Sequence, residues 1–249
     1  MKSNTLFLIL SLLVVCLISM PVQAQESLSL IEQIQNSHLL DDLSSELQLV
    51  GGLTLLSFIP LIVISMTAFL RIIIVLSMLR QALGVQQTPP NAVLITLALF
   101  LTFFTMSPAI KVIENTALTP YLQNKIELTQ AVDNAMKPLR SFMISQTREQ
   151  DMAVILKVSG SSLPSSPEQV ETSKLIPAFM LSELTTAFKI AFVIFIPFLL
   201  IDLVVATVLM SLGMIMLPPI SIALPLKIML FVVIDGWALL TESLITSFY

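Results

Sequence analysis

Lys189, Asp202, Lys227, Asp235 and Glu242 stand inside an otherwise apolar stretch running from Phe188 to Phe248. Pro197, Pro218, Pro219 and Pro225 cut the same stretch. A charge at the bilayer centre costs about 2.5–3.5 kcal/mol on insertion scales, so five charges set against lipid would be hard to tolerate. Such groups must face protein, water or one another, and proline-broken helices survive where neighbours re-satisfy the freed backbone. Two chemistries are open. Asp202, Asp235 and Glu242 could relay protons or ions, as in a secondary transporter. Alternatively Lys189, Asp202, Lys227 and Asp235, with Arg71 of an earlier apolar segment, are buried charges that pair between helices or subunits and fix an assembly. A carboxylate relay has no need of lysines, so pairing is favoured. At helical spacing Asp235 and Glu242 fall near one face, and Lys227 lies about two turns before Asp235.

A second set is apolar. Met210, Met214 and Met216 flank the break at Gly213, in Gly213-Met214-Ile215-Met216-Leu217-Pro218-Pro219. Methionine is unbranched and deformable, and it usually just fills core space. In a turn between a glycine and two prolines, core filling is least needed. Copies of this turn around one axis would make an apolar constriction that seals against water yet yields to a passing chain.

Enzyme chemistry finds little support. There is no GxxxxGK[ST] phosphate loop, and six glycines are too thinly spread to cradle phosphates. No H-E-x-x-H is present, and the one histidine, His38, sits in a polar acidic stretch where a solvated side chain is expected. Asp202 and Asp235 as an intramembrane aspartyl pair would lack the glycine two residues before Asp235. The one cysteine, Cys16, excludes an internal disulfide. No cofactor is expected. A net charge of −4 leaves no basic footprint for nucleic acid.

The elements that must carry these residues are membrane elements. Apolar residues make up 56% of the chain and charged residues 11%, with a mean hydropathy of +0.95, which is the composition of an integral membrane protein. Residues 1–24 read as a secretory signal: Lys2, an apolar core from Leu6 to Met20, and Val22-Gln23-Ala24 as the cleavage site. Residues 25–47 form a polar acidic segment delivered to the periplasm. Residues 48–110 form a first apolar helical hairpin, with Arg71, Arg80 and Pro60 inside it and a turn at Gly84–Asn91. Residues 111–175 are a hydrophilic helical insert on the periplasmic side. It holds seven of the twelve basic residues, against the positive-inside trend, although at this length the trend loses force. Residues 176–249 form a second apolar hairpin around the Met/Pro turn. The expected fold is therefore all-α and membrane-associated, two broken helical hairpins with a helical hydrophilic insert.

Three stretches resemble the FliP family of flagellar type III export-gate proteins: Thr67 to Pro108, Pro177 to Phe192, and Phe195 to Trp237, the last carrying FIPFLLIDLVVATVLMSLGMIMLPP, IALPLKIMLF and VIDGW. The chain departs at Ala191, where the family usually has glycine, and at Ile215, within what is often a methionine triplet. The resemblance implies a homo-oligomer that coils with FliQ and FliR into a helical funnel in the flagellar basal body of the bacterial inner membrane, largely on its periplasmic side. FlhA and FlhB would be further partners, and unfolded rod, hook and filament proteins the cargo. It also implies a gasket at Met214, Ile215 and Met216, and assigns Glu183 and Lys189 to subunit contacts. The alternatives are the injectisome counterpart that exports virulence effectors and, in another class, an ion or solute transporter. The leader and acidic segment favour the flagellar branch.

Overall fold

The computed structural model describes residues 45–85, 88–160, 166–214 and 216–249; the expected signal segment and most of the acidic segment lie outside them. The chain divides into two compact units, Met1–Ile59 and Pro60–Tyr249. Within the first unit the described residues are helical, the start of α1 (Ser45–Ser65).

The described residues are helical with no strand. In the second unit α2 (Phe69–Ala82), α3 (Asn91–Ile113), α4 (Thr119–Leu122), α5 (Leu128–Gln146), α6 (Glu149–Val158), α7 (Thr172–Ser211), α8 (Ile220–Val233) and α9 (Gly236–Thr246) follow in order. A π-helical turn, Glu114–Leu118, joins α3 to α4. A wide turn leaves backbone carbonyls poorly matched, and the Asn134 amide reaches the Thr116 carbonyl at 3.2 Å. Among the described residues two helices are long and apolar enough to cross a membrane: Asn91–Leu122 and Thr172–Ser211. The pair α8 and α9, bent by 65°, qualifies as a third, broken span.

The core is built on α2. Arg71, Ile72, Val75, Leu76, Leu79 and Ala82 are its buried residues, a three-to-four spacing that forms one stripe. The stripe meets Leu94, Ala98 and Leu101 of α3, Ala187 and Phe198 of α7, and Phe231 and Leu244 of the last two helices. A second cluster, Met66, Met143, Leu156, Val170, Leu175 and Phe179, seats the insert against the start of α7.

The breaks have local causes. Gly84 (φ 78°) and Gly213 (φ 74°) take the left-handed conformation that other residues rarely adopt. After α7, the Gly213 N–H donates to Met210 and the Met214 N–H to Leu209, the paired bonds of a Schellman stop. Pro218-Pro219 then prevents resumption until α8. Two positions differ from the expected pattern. Pro60 lies inside α1 without ending it, and the first apolar segment has an additional break at residues 66–68. The polar insert gives way to one 40-residue helix that starts at Thr172 rather than to a shorter apolar block.

Candidate functional site

Arg71 projects from the buried stripe of α2 and is 2% exposed. Its Nε donates to Glu183 Oε2 at 2.9 Å, and Nη2 donates to Glu183 Oε1. Nη2 also donates to Gln146 Oε1 at 3.0 Å. Nη1 reaches the Ser247 carbonyl at 2.9 Å and the Ser247 hydroxyl at 3.0 Å. All five guanidinium N–H groups are thus used. The guanidinium also lies 3.8 Å above the Phe248 ring, a cation–π contact strengthened by burial. Gln146 returns a bond from its amide to the Phe248 carbonyl at 3.0 Å. One side chain therefore ties together α2, α5, α7 and the segment following α9.

Asp202 and Lys227 form the second pair. Lys227 Nζ lies 2.6 Å from Asp202 Oδ2 and 3.2 Å from the Ala82 carbonyl. That carbonyl belongs to the last turn of α2, at the negative end of the helix dipole. Lys227 is buried, while the Asp202 side chain is 41% exposed. The helical spacing that set Lys227 on the face of Asp235 fails because the helix does not continue between them. Asp235 sits in a left-handed conformation (φ 51°, ψ 51°) at the α8–α9 corner.

The insert is fastened by further polar contacts. Ser182, fully buried on α7, donates to Asp151 Oδ2 at 2.6 Å and accepts from the Arg148 backbone N–H at 3.0 Å. Arg148 Nε donates to the same Asp151 oxygen at 2.7 Å. Arg140 donates to the Glu168 carbonyl at 3.0 Å and the Val170 carbonyl at 2.6 Å, holding the lead-in to α7. Among the described residues no buried side-chain N or O lacks a partner.

The candidate residues therefore separate into two groups. Arg71 with Glu183, and Asp202 with Lys227, pair inside one chain. Glu183, which the resemblance assigned to subunit contacts, is instead 0% exposed and satisfied by Arg71. Lys189 and Asp235 are exposed, as is Glu242, and none of the three forms an ion pair among the described residues. Asp235 and Glu242 line one open groove with Trp237, Thr241 and Thr246; Asp202 is not in it, so the three carboxylates do not make one path. Met210, Met214 and Met216 are exposed, Met216 to 98%, and Ile215 lies outside the described residues. Gln146, Ser247, Phe248, Asp151 and Ser182 carried no signal in the sequence, being ordinary polar or aromatic residues whose role appears only once their partners arrive.

These features define an all-helical membrane protein whose helices are cross-tied by internal ion pairs and whose Lys189, Asp235, Glu242 and turn methionines face outward. Residues 52–244 match the FliP family. The chain is 50% identical over 208 residues to the "Flagellar biosynthetic protein FliP" of Bacillus subtilis (strain 168), covering 84% of this chain and 94% of that protein. It is 52% identical to that of Pectobacterium carotovorum subsp. carotovorum over 79% of this chain and 76% of the relative. With that of Aquifex aeolicus (strain VF5) the identity is 44% over 83% and 87%. The chain belongs to the FliP family.

Proposed function

We propose that this protein is a core subunit of the flagellar type III protein export gate. Several copies, with FliQ and FliR, form the channel through which unfolded rod, hook and filament proteins pass, and FlhA and FlhB adjoin it in the inner membrane. Residues 1–24 are a cleaved leader, residues 25–47 and 111–175 lie on the periplasmic side, and residues 48–110 and 176–249 are the two hairpins. Met210, Met214, Ile215 and Met216 form the gasket. Arg71, Glu183, Asp202 and Lys227 hold each protomer in shape, leaving Lys189 and Asp235 for neighbours.

The observation that carries this reading is the methionine turn. A glycine stop and two prolines hold an apolar side chain 98% exposed at the end of a span. Several copies around one axis would bring these turns together into an apolar constriction. The test is a strain deleted for the gene. Loss of filaments and of hook-protein secretion, restored by this chain, is the expected result. Loss of virulence-effector secretion with motility intact would assign it to an injectisome. Normal filaments with altered ion or solute uptake would assign it to transport.

A further inference from the structure

We propose that neighbouring copies meet through an ion pair between Lys189 of one copy and Glu242 of the next, with Asp235 beside it. This deepens the reading of a homo-oligomer and rests on it.

The charge inventory of the apolar C-terminal part singles these residues out. From Leu175 to Tyr249 the basic residues are Lys189 and Lys227, and the acidic ones are Glu183, Asp202, Asp235 and Glu242. Glu183 is taken by Arg71, and Asp202 by Lys227. What remains is one cation and two anions.

Depth is the second argument. Copies coiled around the membrane normal with a small rise from one to the next join residues at similar depth. Glu183 and Ser247 are both bound by Arg71, and Ile190 and Ser243 line one groove on the same side of that anchor. At about 1.5 Å per residue Lys189 lies about 9 Å from it along α7 and Glu242 about 7.5 Å along α9, so the two stand at similar levels. In that groove α9 presents Leu239, Leu240 and Ser243 toward α7. Ala238, Thr241, Glu242 and Ile245 line a different groove on the opposite face of α9. The acidic face is thus turned away from the chain's own α7. Two different patches of opposite charge at similar levels make a heterologous contact, the kind that repeats around an axis.

The surroundings favour pairing over solvation. Lys189 is flanked on α7 by Phe188, Phe192 and Val193, which are 54%, 65% and 65% exposed. Glu242 stands near Trp237 and Ala238. Closing these apolar surfaces together removes water from the pair, and the opposite charge answers each desolvated group.

The test uses the full chain with Cys16→Ser, co-expressed with its native export-gate neighbours. One tagged copy carries Lys189→Cys and a differently tagged copy carries Glu242→Cys, and membranes are treated with a short bismaleimide. A cross-linked dimer bearing both tags is expected. Lys189→Glu or Glu242→Lys alone should weaken self-association by about thirtyfold or more, as loss of a desolvated charge pair does, and the double reversal should restore it. Cross-linking of the Lys189→Cys copy to another protein, no mixed-tag product from an intact oligomer, or a double reversal no better than either single change would overturn the contact. Motility retained in those cases leaves the export reading standing, whereas an unsubstituted chain that never self-associates removes both.

Discussion

Arg71 donates every one of its N–H groups inside the fold, and the cost of disturbing it follows from that saturation. Arg71→Ala would leave Glu183 buried beside Gln146 without a counter-charge. Breaking a buried pair from one side costs about 3–5 kcal/mol, a large share of the marginal stability of a typical domain. Arg71→Lys keeps the charge but loses the fork that grips Glu183 and Ser247 together. Thermal unfolding of the detergent-purified protein should fall in the order wild type, Arg71→Lys, Arg71→Ala. Glu183→Gln should resemble Arg71→Lys. An Arg71→Ala protein as stable as wild type would show that the hub bears no weight. The sequence announced that Arg71 was an odd residue in an apolar run, but not its partner. Glu183 lies 112 residues away, and nothing in local periodicity carries information across that distance.

At the scale of elements, the legible features were those with local causes. The stop at Gly84, the start of α3 after Pro89-Pro90 with its apolar run, and the Gly213 stop each follow from glycine, proline or an apolar run visible in place. The corner between α8 and α9 was not legible. It comes from Asp235 in the left-handed region, a conformation aspartate tolerates without advertising it. Gly236 beside it is held by packing rather than by dihedral angle. A Cβ there would stand 2.3 Å from the Phe231 ring, and that ring is pinned by Trp237 at 5.3 Å between centroids. Gly236→Ala should therefore destabilise by about 1–3 kcal/mol, the usual range for overpacking. Phe231→Leu in the same chain should recover part of the loss. Unfolding midpoints of the two variants decide this, and an unaltered midpoint for Gly236→Ala would mean the corner opens freely. The length of α7 was also missed, because its first turns mix Thr172, Ser173 and Lys174 with apolar residues and so read as part of the insert.

For the whole molecule, the division between inward and outward charges predicts how variants distribute. Changes at Arg71, Glu183, Asp202 or Lys227 should lower the amount of folded protomer. Changes at Lys189 or Glu242 should spare the protomer and reduce the assembly, as blue-native gels of solubilised membranes would resolve. The methionine turn belongs to neither group. Met214→Ala with Met216→Ala removes apolar bulk from an exposed turn and disturbs no core contact. Such a protein should assemble normally and still export filament protein, yet leak small ions through the resting gate. Fluorescence of an ion-sensitive dye in intact cells would report this, and a tight gate with both methionines truncated would place the seal elsewhere.

The 40 residues of α7 make a rod about 60 Å long at 1.5 Å per residue, roughly twice the hydrocarbon thickness. Glu183 is clamped near one end and Gly213 closes the other. Between them the rod has one proline, Pro197, where an internal hydrogen bond is forfeited. Any tug on the insert must either travel the whole shaft to the methionines or be spent in flexing at that single elbow. Lever and shock absorber are thus the same helix, and Pro197 decides which it is.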